Sequence, residues 1–168
     1  MKKDPKKIIT VLLFLLVAGW GIKLVINKAV APPMRFQQEA LTTIDSSLTI
    51  SINDFNGTVL IVSCYQSWCI DCARETPVLN QLAADLNSDR FKIIYISDEG
   101  KEKQKAFRNR FPADKILFTQ SQKSLASLGI HVYPTTFLLN KNGEVITTKL
   151  EGYDWSAKKE AIKELIDE

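Results

Sequence analysis

The chain has 168 residues, room for one ordinary domain and an appendage. Apolar residues make up 45% of it and charged residues 24%, with 7 Gly and 6 Pro, a balance that excludes disordered, collagenous and low-complexity classes. The net charge of +3 belongs to one end: Lys2, Lys3, Lys6, Lys7, Lys23 and Lys28 face a single acid, Asp4, and the residues beyond carry 16 basic against 18 acidic groups, so no basic footprint argues for nucleic acid.

The basic tip leads into an apolar run from Ile8 to Ile26 that only Thr10 and Lys23 interrupt. As a helix this run would rise about 28 Å, against about 30 Å of bilayer core. Lys23 can snorkel at one end, and Trp20 suits an interface. Lysines ahead of the run predict a cytoplasmic N-terminus with the rest of the chain outside. Residues 1–31 thus read as a basic tip and a single-pass signal-anchor. A cleaved signal peptide is the competing reading, because Ala29-Val30-Ala31 resembles a small-residue cleavage site. The length of the run and the lysines at 23 and 28 favour retention, and no Cys follows the run to carry a lipid.

Pro32-Pro33 breaks any helix leaving the membrane. Residues 32–44 read as a linker or stalk, and 45–168 as the folded domain. Residues 47–52 alternate polar and apolar side chains as an edge strand does, 54–57 read as a turn, and 59–63 as a strand buried on both faces. After Cys69, Val78, Leu79, Leu82, Ala83 and Leu86 recur at helical spacing. Residues 91–97 are a second buried strand, 101–110 a helix with a solvated face, 116–119 a short strand and 121–128 a short helix. Residues 135–140 and 145–150 flank Lys141-Asn142-Gly143-Glu144, a strong hairpin signal. Residues 156–166 close the chain as an amphipathic helix. Strands alternating with helices predict an α/β fold with a mixed central sheet and helices on both faces.

The chemistry concentrates in Trp68-Cys69-Ile70-Asp71-Cys72, which follows a buried strand and opens a helix. Unpaired N–H groups at a helix start favour negative charge, so a Cys there forms thiolate more readily, and thiolate is the attacking species. One helical turn lets Cys72 reach back and close a disulfide with Cys69. Cys69 is then the exposed nucleophile and Cys72 the resolving thiol. A zinc site needs four ligands, and outside this pair the chain offers only Cys64 and His131. A permanent staple is the other alternative; the strand-to-helix context favours redox over both. Cys64 reads as a small buried hydrophobe, His131 as a loop residue, and Lys158–Lys163 with Glu160 and Glu164 as a solvated helix face. Pro134, in Val132-Tyr133-Pro134-Thr135-Thr136, either starts a strand in the trans form or is a cis proline in a tight turn. In the second case Tyr133, Pro134 and Thr135 could bring backbone groups beside the disulfide to pair with an extended substrate. Trp68 could offer an apolar contact there, or simply pack.

These motifs together resemble the thioredoxin superfamily. C-A-R-E-T-P-V-L from Cys72 to Leu79, the D-F-N-G turn, the helix insertion at 101–110 and the F-L-L-N-K-N-G-E hairpin are similar to the membrane-anchored TlpA/ResA-like reductases, over roughly residues 45–168. The resemblance implies a thioredoxin-like fold, a redox pair at Cys69 and Cys72 with no other cofactor, and a cis proline at Pro134. It also implies an acidic residue, Glu75, that helps the thiols titrate. By residue chemistry alone Glu75 is equally a surface acid in the first helical turn. The implied activity is thiol–disulfide exchange on exported proteins, as a reductase, with many relatives serving cytochrome c maturation and a membrane electron donor re-reducing the enzyme.

Two departures bear on that expectation. Cytosolic thioredoxins carry a buried Asp where this chain has Ser63. Asp71 stands where many relatives have Pro, and its charge should oppose thiolate formation and tilt the pair towards reduction of substrate. The competing functions are a copper-binding module using Cys69 and Cys72, with or without His131, since soft thiolates suit Cu(I), and a peroxidase, against which the paired cysteines and the absence of a Thr-x-x-x-Cys motif both weigh.

Overall fold

The computed structural model describes residues 34–150 and 154–168. The predicted signal-anchor lies outside the described residues, and among those described no helix is long and apolar enough to cross a membrane. The described strands are β1 (Leu41–Thr43), β2 (Thr49–Ile50), β3 (Val59–Cys64), β4 (Phe91–Ser97), β5 (Ile116–Ser121), β6 (Thr135–Leu139) and β7 (Val145–Leu150). The α-helices are α1 (Ile70–Leu86), α2 (Lys101–Arg108) and α3 (Lys159–Asp167).

The strands form one mixed sheet in the order β2-β1-β5-β4-β3-β6-β7. β3, β4 and β5 run parallel, and the other pairings are antiparallel. The two parallel connections step the same way along the sheet. Right-handed crossovers therefore put α1 and α2 on the same face, where they pack with α3 through Leu79, Leu82, Phe107, Ile162 and Ile166. The opposite face is covered by Phe36, Ile52, Leu125 and Ile130, from loops and 3-10 turns. The expected helices on both faces are thus α-helices on one face and short 3-10 turns on the other. The predicted helix at 121–128 is a 3-10 turn at Ala126–Leu128, because Ser121 still belongs to β5 and Gly129, at φ +85°, stops the coil.

β3 shows why both faces matter. Val59, Ile61 and Tyr65 point into the helix-side core, while Leu60, Val62 and Cys64 point into the other. Burial on both sides selects the continuous apolar run seen in the sequence. Beside it Tyr65, Tyr95, Phe107 and Phe118 form an aromatic cluster with centroid separations from 5.0 Å; such pairs add about 0.5–1.5 kcal/mol each beyond their buried area.

The domain starts earlier than residue 45. Phe36, Leu41 and Ile44 are buried, and β1 pairs with β5 from Leu41↔Ser121 to Thr43↔Thr119. Three residues are too few to carry a readable period, which is why 34–44 read as a stalk. The predicted edge strand at 47–52 shrinks to β2, and Ile52–Phe55 forms a 3-10 turn closed by Asp54 accepting the Ser51 N–H at 2.7 Å. The β6–β7 hairpin falls as predicted, with Gly143 at φ +76° supplying the left-handed residue its turn requires.

Candidate active site

Cys69 is the N-cap of α1, extended at φ −78°, ψ 117°, and its Sγ accepts the Cys72 N–H at 3.0 Å. Ile70 and the residues after it take helical geometry, so the backbone itself aims a first-turn N–H at the sulfur. Cys69 and Cys72 are joined in a disulfide with Cα atoms 5.3 Å apart. Cys69 is 6% exposed and Cys72 is fully sealed. The expected exposed nucleophile is therefore only a sliver of surface in the bonded state, but that sliver belongs to Cys69 alone, since Cys72 turns inward with the apolar face of α1. Asp71 is half-buried and ion-paired with the exposed Arg74 at 3.0 Å, which offsets part of the charge expected to oppose thiolate formation.

The rim is built by the turn before β6. The Tyr133–Pro134 bond is cis, which settles the choice left open by the sequence. The register Cys64↔Thr135 sets this turn at the end of β3 from which the Cys69 loop departs. The Tyr133 ring meets the Trp68 ring edge-on at 5.9 Å, and Trp68 itself is 70% exposed. Ile70 and Val132 are also exposed, so the disulfide opens into an apolar rim. Thr135 is buried and donates to the Val132 carbonyl at 2.7 Å, so its side chain braces the turn from within rather than lining the rim. His131 lies exposed on the same segment.

Behind the pair sits a polar cluster that is only half legible in the sequence. Glu75, one helical turn after Cys72, accepts the Trp155 indole N–H at Oε1 (2.7 Å) and the Ser63 hydroxyl at Oε2 (3.2 Å), with Thr136 Oγ1 3.2 Å from the same oxygen. Ser63 and Thr136, paired across β3 and β6, are themselves 2.8 Å apart. Burial pushes the Glu75 carboxyl above its ordinary value, and the bonds from Trp155, Thr136 and Ser63 pull it partly back. Glu75 is thus a half-buried, bonded group and not the surface acid that residue chemistry left equally open. Nothing in the sequence around Trp155 marks it for this role, and its partner lies 80 residues away. Ser63, read only as a missing Asp, turns out to face a carboxylate supplied by the helix instead.

Cys64 lies fully buried on the other face of β3, and burial, with Asp98 second, drives its thiol far above the range where it could ionise. Among the described residues no three His, Cys, Asp or Glu side chains gather as a metal site.

A mixed sheet of this order, with a bonded C-x-x-C pair capping the helix after its central strand and a cis proline at the rim, defines the class of thioredoxin-fold thiol–disulfide oxidoreductases. The chain belongs to the thioredoxin-like family, whose model matches residues 56–145. It is 28% identical over 153 residues to the thiol-disulfide oxidoreductase ResA of Geobacillus thermodenitrificans, covering 86% of this chain and 87% of that one. It is 27% identical over 114 residues to ResA of Bacillus thuringiensis, covering 62% of this chain and 66% of that one. The thioredoxin domain of a Bacteroides vulgatus thiol-disulfide oxidoreductase shares the fold at a TM-score of 0.64 and 22% identity, over 80% of this chain and 99% of that one.

Proposed function

We propose that the chain reduces disulfides in exported proteins through Cys69 and Cys72, anchored by its N-terminal apolar segment with the domain outside the membrane. The observation that carries this reading is the Cys69 sulfur itself: it caps α1, takes a backbone N–H at 3.0 Å, and is the one member of the pair with any exposure. In the reduced protein the same N–H favours the Cys69 thiolate. That thiolate attacks one sulfur of a client disulfide, forms a mixed disulfide and expels the other client sulfur as thiolate. Cys72 then loses its proton and attacks Cys69; the Cys69–Cys72 bond forms, the second client sulfur leaves, and two electrons have passed to the client. Glu75, one turn behind Cys72 with a raised proton affinity, is the group suited to take the Cys72 proton and return it when a membrane thiol donor re-reduces the pair.

Trp68, Tyr133 and Pro134 form the surface on which the client lies, the rings giving apolar contact and the cis turn presenting backbone for strand-like pairing. Thr135 supports that turn. The family resemblance carried by the sequence makes an apocytochrome-type client, with two cysteines in a short segment, the first to test. The test is trapping in the native cell. Cys72→Ser should accumulate proteins disulfide-linked to Cys69, and the wild-type dithiol should reduce insulin. An empty trap together with a dithiol inert to insulin would remove the basis of the proposal.

A further inference from the structure

Two consecutive carboxylates, Asp98 and Glu99, leave the end of β4 and close on the segment that leads into Cys69. Asp98 Oδ1 accepts from the Gln66 side chain at 2.7 Å, and its Oδ2 accepts the Leu125 N–H at 2.8 Å. Glu99 takes both polar groups of one residue: Oε2 accepts the Ser67 N–H at 2.6 Å, and Oε1 accepts the Ser67 hydroxyl at 2.9 Å. A third tie runs through α2, where Gln104 donates to the Glu99 carbonyl at 2.9 Å and accepts from the Tyr65 hydroxyl at 3.0 Å. The Cys69 N–H completes the turn on the Gln66 carbonyl at 3.0 Å. Residues 65–67 are therefore held from one side by the β4–α2 connection, immediately ahead of the reactive sulfur.

The Glu99 side chain is only 10% exposed. Its cation, Lys103, stands 3.8 Å away on a side chain 72% exposed to solvent, where an ion pair is weak. A carboxylate so placed, bonded to the residue two positions before Cys69, keeps much of its field. Among the described residues, the other charged and titratable groups at this end of the sheet include Asp71 with its partner Arg74, Asp98, Glu75 behind Cys72, Tyr65, Arg108 of α2 with its partner Asp45, and His131 and Tyr133 on the proline turn. Acids outnumber bases in that set.

We infer that Glu99 is a positioning residue of the redox pair: through Ser67 it holds the segment that carries Cys69, and its charge weights the pair towards the disulfide, so that the dithiol gives up its electrons readily. A nearby negative charge disfavours the thiolate, and a less stable reduced form is a stronger reductant. The inference rests on the proposed exchange at Cys69 and Cys72 and gives a reason for its direction.

The test equilibrates the full chain with glutathione. Two glutathione thiols become one glutathione disulfide, the Cys69–Cys72 bond becomes two thiols, and the protons pass from the first pair to the second. Glu99→Gln suits the test because its carbonyl can still take the Ser67 N–H and its amide can donate to the Ser67 hydroxyl, so that the charge alone is lost. It should shift the equilibrium about threefold or more towards the dithiol and move the pH profile of Cys69 alkylation to lower pH. Lys103→Glu, on an exposed position that leaves Ser67 untouched, should move both readouts the opposite way and keeps the inference open to test should Glu99→Gln not fold. Unchanged equilibrium and alkylation profile in a folded Glu99→Gln, or a Lys103→Glu shift of the same sign as the one expected for Glu99→Gln, would overturn it. A wild-type protein that fails to reduce insulin defeats the proposed function instead, while the alkylation profile of the chemically reduced chain still reads Glu99.

Discussion

The Trp155 indole N–H donates to Glu75 Oε1 at 2.7 Å, tying the turn before α3 to the carboxyl that sits behind the redox pair. Trp155 is fully buried. Trp155→Phe keeps most of the packing and removes the donor, leaving a buried carboxyl oxygen one partner short. Loss of a hydrogen bond to a charged group costs about 1.5–3 kcal/mol, and urea denaturation at neutral pH should read a loss in that range. Because this bond is the first of those that lower the Glu75 carboxyl, the same variant should push its titration further up; an unchanged titration in a destabilised variant would mean that Trp155 only packs.

Glu75 also predicts a pH dependence of stability. Its carboxyl titrates above the ordinary value of 4.5 in the folded protein because burial disfavours the charge. Between 4.5 and the raised folded value the native state holds more proton than the unfolded chain, so this group's contribution falls as pH climbs through that window and returns on acidification. Glu75→Gln, whose amide can still accept from Trp155 and donate to the Ser63 and Thr136 hydroxyls, should abolish that slope. Denaturation midpoints collected across the window would show two parallel curves if the slope comes from another group.

Cys64 should be silent. Its thiol is sealed in the sheet face away from the disulfide and is driven far from ionisation by burial. Mass spectrometry after alkylation of the reduced native protein should find Cys69 labelled and Cys64 bare, and Cys64→Ala should reduce insulin at the wild-type rate. Cys64→Ser places a hydroxyl among Leu60, Val62 and Phe137 and should cost about 1–3 kcal/mol of stability. Rapid labelling of Cys64 in the folded protein would contradict its placement.

Trp68 separates contact from stability. It is 70% exposed and touches the Tyr133 ring edge-on. Trp68→Ala should leave the denaturation midpoint nearly unchanged, within about 0.5 kcal/mol as for surface sites. An exposed aromatic at a contact surface carries about 2 kcal/mol or more when it anchors a partner, so reduction of a protein disulfide should fall tenfold or more while reduction of a small-molecule disulfide falls far less. Equal losses on both would assign Trp68 to the chemistry of the pair and not to client contact.

Local pattern made most of the frame legible. The apolar runs of β3 and β4, the helical spacing after Cys69 and the Asn-Gly turn each depend on neighbours within a few residues, and each fell where the sequence placed it. The short elements did not. β1 and β2 have three and two residues and exist because β5 offers β1 a free edge. The 3-10 turn at Ala126–Leu128 and the one-sided placement of α1, α2 and α3 depend on crossover handedness and on what covers the other face.

The cysteines divide along the same line. Two residues between Cys69 and Cys72 at a strand-to-helix junction suffice to cap a helix and bring two sulfurs within one turn, because both constraints are local. The cis form of the Tyr133–Pro134 bond, the bonds that hold Glu75 from Ser63, Thr136 and Trp155, and the grip of Glu99 on Ser67 join residues 12 to 80 positions apart or turn on a backbone choice that sequence leaves open. Sequence alone determined which two sulfurs meet at the start of the helix; only the folded sheet, by bringing distant carboxylates, hydroxyls and an indole together behind them, decided the polar surroundings in which they sit.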